Sequence, residues 1–295
     1  MAQFYVQYEY WFAAMQLILA MLGMGATLTG KDFRDVVNEP RSVSLGTVIQ
    51  IVLVPVMAFL FLHLLGVTGG VAVGIAMIAA VPGGTTSNIF TYFARGNSAL
   101  SICITALTTL ACLLTTPLIL MLLIGTYLPQ DFSMPKGQIV REIALTLLLP
   151  LAAGMAYLHL YPRTAATLSK WSIRGSLFGI LLIVIGSASA GRLDIAAFGH
   201  QNLLLVTLFT ICLALMAYVV PKIIGLSRSD STAIEFEVIV RNVNLGVLIK
   251  ASIFPAAASA TAQIGDTVLL SLLLYGGLQM LLGAILIWFY RRSGL

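Results

Sequence analysis

The sequence predicts an all-α membrane protein of about nine transmembrane helices, two of them broken and set as partners in an inverted repeat. Three observations carry this. Apolar runs of membrane-spanning length recur from end to end, the basic residues gather on alternate connections, and two runs are interrupted midway by polar and helix-breaking residues. Of 295 residues, 59% are hydrophobic and 9% charged, with mean hydropathy +1.00. A soluble domain carries about 25% charged residues. So little charge cannot cover a water-facing surface, and lipid must cover much of it. Residues 1–295 read as a single membrane domain, because apolar runs leave no room for a separate polar one.

A spanning helix needs roughly 20 mostly apolar residues. On that scale the spans are centred on Trp11–Thr29, Val43–Leu65, Gly70–Phe93, Ala99–Ile124, Ile139–Leu160, Ser172–Ala190, Leu203–Ile223, Thr232–Phe254 and Thr267–Tyr290. Their connections hold the expected breakers: Glu39-Pro40, Gly66, Arg95-Gly96-Asn97, Pro129 and Tyr161-Pro162. Met1 to Tyr10 lack the basic start of a secretory leader, and the apolar stretch that follows is long enough to span, so no cleaved segment is expected. Cys103, Cys112 and Cys212 sit inside apolar runs without metal-like spacing and read as small packing residues.

Charge orients the spans. If they alternate, Lys31, Arg34, Arg41, Arg95, Arg163, Lys170, Arg174, Lys222, Arg228, Arg291 and Arg292 share one side, and Lys136, Arg141 and Arg192 the other. The positive-inside rule then puts the N-terminus outside and the C-terminus in the cytoplasm. The net charge of +5 is spread singly between apolar runs, which points away from nucleic acid. Lipid is the expected surroundings, and no motif calls for an obligate protein partner.

The third span contains Pro82-Gly83-Gly84 followed by Thr85-Thr86-Ser87-Asn88. Proline removes a backbone donor and glycine favours unwinding, and unwound backbone at membrane depth persists only where protein or a water-filled cavity satisfies it. The eighth span carries Glu237 and Arg241 inside an apolar run, followed by Asn242 and Asn244. A charge at the bilayer centre costs about 3 kcal/mol on insertion scales and marks function by default. Four residues apart, Glu237 and Arg241 are expected on one helical face. Glu235 lies nearer the cytoplasmic end, where solvent reach accounts for it, and Lys250 is expected to snorkel to the outer interface.

Spans three and eight run in opposite directions in this topology. Interrupted helices at matching places in two inverted halves point to a transporter. Half-helix N-termini suit a substrate carboxylate, while unwound carbonyls and nearby oxygens suit Na⁺, the ion this arrangement calls for. Thr85 and Asn242 are the candidate substrate-binding residues.

These motifs carry a resemblance. Gly23-Met24-Gly25-Ala26-Thr27-Leu28-Thr29 with Asp32-Phe33, then Pro82 to Asn88, Ala94-Arg95-Gly96-Asn97 with Ala99-Leu100-Ser101, and Phe236-Glu237-Val238 leading to Asn242 resemble the bile acid:sodium symporter family over nearly the whole chain. The resemblance implies a panel domain of approximately residues 11–29, 139–160 and 172–190. It implies a core domain of approximately 43–65, 70–93, 99–124, 203–223, 232–254 and 267–290, in which the two broken helices cross. It implies a bacterial inner-membrane symporter of sodium and an organic anion, bile-acid-like or a small carboxylate. Bacterial relatives often carry ten spans, and this chain is expected to begin at their second.

Residue by residue, the family's first sodium site falls on Ser87, Asn88, Ser101, Thr105 and Glu237, all oxygen-bearing. Its second falls on Gln50, Val238, Val240, Glu237 and the position of Arg241. There the family usually has glutamine. A guanidinium has donors and no acceptor, so Arg241 is expected to replace the second sodium with a cation fixed to the chain.

A sodium/proton antiporter or a sodium-independent transporter is the alternative. The first needs a titratable intramembrane carboxylate, commonly an aspartate pair, and Asp194, Asp230 and Asp266 fall near span ends. No zinc-protease or nucleophile-elbow motif is present, so no enzyme is expected.

Overall fold

The computed structural model describes residues 2–31, 40–125, 127, 135–256 and 261–292. Among them the backbone is helical, apart from turns and one isolated bridge. In chain order the helices are α1 (Ala2–Gly25), α2 (Pro40–Leu64), α3 (Gly69–Ala80), α4 (Thr86–Phe93), α5 (Ser98–Ile124), α6 (Lys136–Leu160), α7 (Pro162–Ser189), α8 (Ile195–Ile223), α9 (Arg228–Ile239), α10 (Val243–Ile253) and α11 (Ala262–Arg292). Six of these, α2, α5, α6, α7, α8 and α11, are long and apolar enough to cross a membrane, and α3 and α10 are shorter apolar helices. Asp32, Phe33, Arg34, Glu39 and Pro129 lie outside the described residues.

Element ends follow local chemistry. Asn97, Asp194 and Asn242 cap α5, α8 and α10, accepting from Leu100 N, Ala197 N and Leu245 N with their side chains, as short polar residues at helix starts do. Pro40 and Pro162 open α2 and α7, where the missing N–H costs nothing. The first helix begins well before the expected Trp11, because Tyr5 and Glu9 are buried against the rest of the protein.

Packing divides the helices into two groups. α1 lies along α6 and α7, while α2 to α5 and α8 to α11 pack around one another, with α3 against α11 and α9 against α4, α5 and α8. The groups meet where α1 and α6 touch α10 and where α5 touches α6. At one end of the second group, Arg41 Nη2 donates to Ile224 O (3.1 Å), Arg291 Nε to Phe93 O (2.9 Å) and Asn97 Nδ2 to Asp230 Oδ1 (2.9 Å). Four of the connections expected on one side, those before α2, α5 and α9 and the end of α11, therefore come together. Cys103 and Cys112 are buried and Cys212 half-buried in helix packing.

Candidate functional site

The two broken helices cross at their breaks. The residue before a proline is driven to extended backbone, and Val81 adopts φ −79°, ψ 149°, ending α3. Val240 (φ −93°, ψ 90°) ends α9, and Asn242 starts α10. The freed backbone groups pair with each other. Gly84 N donates to Val240 O (2.7 Å) and Asn242 N to Pro82 O (2.8 Å), around an antiparallel bridge between Gly83 and Arg241. Glycine is required there for space. A Cβ on Gly83 would stand 2.5 Å from Glu237 Oε2, and one on Gly84 3.0 Å from Arg241 O.

Glu237, fully buried in α9, reaches the start of α4. Its Oε1 accepts from the hydroxyls of Ser87, Ser101 (2.6 Å) and Thr105 (2.7 Å), and its Oε2 from Gln50 Nε2 (3.2 Å). Asn88 Oδ1 lies 2.8 Å from Ser101 Oγ and 3.2 Å from Thr105 Oγ1, and Ser87 Oγ lies 2.6 Å from Gly84 O. The five residues expected at the first sodium site thus form one cluster: Ser87, Ser101 and Thr105 meet Glu237 Oε1, and Asn88 joins through Ser101 and Thr105. Glu237 Oε1, Asn88 Oδ1 and the three hydroxyl oxygens converge there. Oxygen clusters of this kind are the ones hard cations take.

Arg241 corrects one expectation. It does not share a helical face with Glu237, because α9 ends at Ile239 and the chain is extended by Val240. The guanidinium turns instead to the C-terminus of α3, donating to Ile78 O (3.2 Å), Ala79 O (3.0 Å) and Val81 O. Gln50 links the two charges: its Oε1 accepts from Arg241 Nη1 (3.3 Å) and from Gly83 N (2.9 Å), while its Nε2 serves Glu237. Of the remaining second-site positions, Val240 has its carbonyl engaged by Gly84, and Val238 is buried within α9.

Two further expectations fail. Lys250 does not snorkel; it is wholly buried, with its Nζ 2.6 Å from Glu9 Oε1. Glu235 does not reach solvent either; it is buried and accepts from the Tyr290 hydroxyl. In each case a partner distant in sequence supplies what solvent was expected to supply.

Thr85 and Asn242 both line a cavity of about 130 Å³ beside the crossing, together with Gly84, Asn244 and Gln279. Its opposite wall is Ala20 and Met21 of α1 and Ile173 and Leu177 of α7. The starts of α4 and α10 meet at this cavity, so two positive helix ends point into it.

Sequence reasoning missed Gln279. Its Oε1 accepts from Arg241 N (2.8 Å) and its Nε2 donates to Arg241 O (3.3 Å), satisfying both backbone groups of the unwound residue. Tyr275 likewise donates to Ile239 O (2.6 Å) and Thr116 to Ala80 O (2.8 Å). An amide in the middle of an otherwise apolar last span was the available signal.

Comparison with known proteins bears on this geometry. The model of the Sodium Bile acid symporter family matches residues 14–197, more than half of the chain. The chain is 29% identical over 246 residues to the uncharacterized sodium-dependent transporter YocS of Bacillus subtilis, covering 83% of this chain and 75% of that protein. It is 31% identical over 278 residues to the probable chloroplastic sodium/metabolite cotransporter BASS1 of Arabidopsis thaliana, covering 94% of this chain and 66% of that protein. To the human ileal sodium/bile acid cotransporter it is 25% identical over 276 residues, 93% of this chain and 77% of that protein.

Proposed function

The chain belongs to the sodium bile acid symporter family, and on that premise we propose that it is a sodium-coupled symporter of an organic anion working by alternating access. The observation that carries the reading is Glu237. It is a fully buried carboxylate whose partners Ser87, Ser101, Thr105 and Gln50 are all neutral. A buried charge with no counter-charge in direct contact is unfavourable, Arg241 reaching it only through Gln50, and Na⁺ among Ser87, Asn88, Ser101, Thr105 and Glu237 lowers that cost. The substrate carboxylate sits at Thr85 and Asn242, against the positive ends of α4 and α10. Its remainder, bile-acid-like or a smaller acid, lies in the cavity between the two helix groups.

The same reading gives nine spans, with α3 joined to α4 and α9 joined to α10 as the two broken ones. α1, α6 and α7 form the panel and the other helices the core, with the N-terminus outside and the C-terminus in the cytoplasm. Arg241 takes the second cation position permanently. Its guanidinium donates to Gln50 Oε1, one of the oxygens expected at that position, and a second Na⁺ beside it would meet Coulombic repulsion in a low-dielectric site.

A thermal-shift screen of organic acids, with and without sodium, tests the proposal. Sodium alone is expected to raise the melting temperature, and a transported acid to raise it further only when sodium is present. Stabilisation by acids that is indifferent to sodium would overturn it.

A further inference from the structure

The crossing is not the protein's sole store of buried charge. Glu9 of α1, Arg192 in the connection from α7 to α8, and Lys250 in the last turn of α10 are 4%, 7% and 0% exposed. Lys250 Nζ lies 2.6 Å and Arg192 Nη1 2.8 Å from the same oxygen, Glu9 Oε1. Arg192 Nε reaches Asp266 Oδ1 of α11 at 2.5 Å, and Ala256 N donates to Glu9 Oε2 (3.1 Å). Two carboxylates and two cations make a neutral quartet.

Stability alone is a poor reason for such a cluster. Buried ion pairs recover little beyond their desolvation cost, and apolar groups of the same shape serve as well or better. Position supplies a better reason. Glu9 and Arg192 belong to the α1–α6–α7 group and its outgoing connection, whereas Lys250 and Asp266 belong to the second group. Gln138 of α6 reinforces the same seam, donating to Ser252 Oγ of α10 at 2.7 Å. The cavity that holds Thr85 and Asn242 opens between these same two groups. Its walls are therefore tied together at the end of the bundle opposite Arg41, Arg228 and Arg291. The polar contacts at that other end, from Arg41, Arg291 and Asn97, join members of the second group to one another.

We propose that Glu9, Arg192, Lys250 and Asp266 form the gate of one end of the substrate pathway, a charge latch broken and remade once in each transport cycle. The cycle is taken from the transport reading above; the latch and its strength do not depend on it. The residues suit reversible use. Asp266 is 31% exposed at its side chain, so water enters from the rim as the pairs separate. The two pairs that cross the seam, Lys250 with Glu9 and Arg192 with Asp266, part together as the groups separate, while Glu9 and Arg192 stay paired on their own side.

The test uses the full-length purified protein with spin labels at Ser189 and Gln263, exposed residues on the two sides of the seam, read by pulsed dipolar distances. The unaltered latch is expected to give a short distance. Glu9→Gln is expected to raise the ratio of long- to short-distance populations at least about tenfold, since Arg192 and Lys250 are left facing each other. Asp266→Asn, at the half-open rim, is expected to shift it in the same direction by a smaller factor, and it decides the matter if Glu9→Gln does not fold. Unchanged distances in folded Asp266→Asn and Glu9→Gln overturn the gate. Thermal stabilisation by sodium, measured on the same samples, keeps the two readings apart. If sodium still stabilises while distances stay fixed, the gate alone is wrong; if sodium never stabilises the unaltered protein, the transport reading is wrong and the distances still judge the latch.

Discussion

Glu237 and Glu9 are both buried carboxylates inside a membrane protein, yet their surroundings are opposites. Glu9 is held by two cations belonging to the chain, Lys250 and Arg192. Glu237 is held by three hydroxyls and an amide, and Arg241 reaches it only through Gln50. A carboxylate neutralised by its own chain is finished when the chain folds. On the proposed reading, one surrounded by neutral oxygens is completed by a cation that arrives. The location of fixed positive charge therefore separates the binding site from the latch better than burial does.

The largest expected effect breaks the contrast directly. Glu237→Gln removes the charge that a mobile cation answers, and sodium-dependent uptake in proteoliposomes should fall to background, while the protein remains folded and extractable. Glu9→Gln should do the reverse: it takes the carboxylate from buried Lys250, leaves Arg192 with Asp266 alone and lowers stability by about 3–5 kcal/mol, while a sodium-induced rise in melting temperature persists. Loss of the sodium response in both variants would show the two sites to be one system. Next comes Gly84→Leu, which places a side chain where Arg241 O stands 3.0 Å from the glycine's Cβ position. Uptake should be lost because the crossing cannot close, and uptake at the unaltered rate would remove the crossing from the mechanism.

Stoichiometry sharpens the contrast by counting ions. With Arg241 in place, sodium activation should show a Hill coefficient near one, and a monovalent anion should move without current. A tenfold gradient supplies about 1.4 kcal/mol per ion, limiting electroneutral accumulation to about tenfold. A second Na⁺ would add the same amount again, plus about 2.3 kcal/mol per 100 mV. A coefficient near two, or substrate-induced inward positive current, would return the second position to sodium. The smallest effect is Thr105→Val. It deletes one of three hydroxyls on Glu237 Oε1, and a hydrogen bond of about 1 kcal/mol predicts roughly fivefold weaker sodium binding by titration.

The crossing was legible from sequence because its signals are local. Pro82-Gly83-Gly84 cannot stay helical, Asn242 is a helix starter, and charge inside an apolar run stands out on its own. Ser101 and Thr105 stand on one face of a single helix, but their meeting with Glu237 was implied by the family resemblance and not by any local signal. The latch was not legible, because Glu9 and Lys250 are 241 positions apart. Each considered alone has an ordinary explanation: Glu9 as part of a polar start, Lys250 as a long side chain near a span end. The direction of Arg241 was not legible. Spacing of four implies a shared face only while the helix continues, and this helix ends between the two residues.

A guanidinium that caps α3 is a ligand without a concentration. Mobile ligands stabilise a fold by RT ln(1 + [L]/Kd) and withdraw that support on dilution; Arg241 offers no such variable. Its carbonyl partners at Ile78, Ala79 and Val81 should stay satisfied in sodium-free buffer as in brine. Amide hydrogen exchange should accordingly divide the crossing in two. The last turn of α3, capped by Arg241, exchanges at one rate whatever the salt, while the first turn of α4, which carries Ser87 and Asn88, slows as sodium is added.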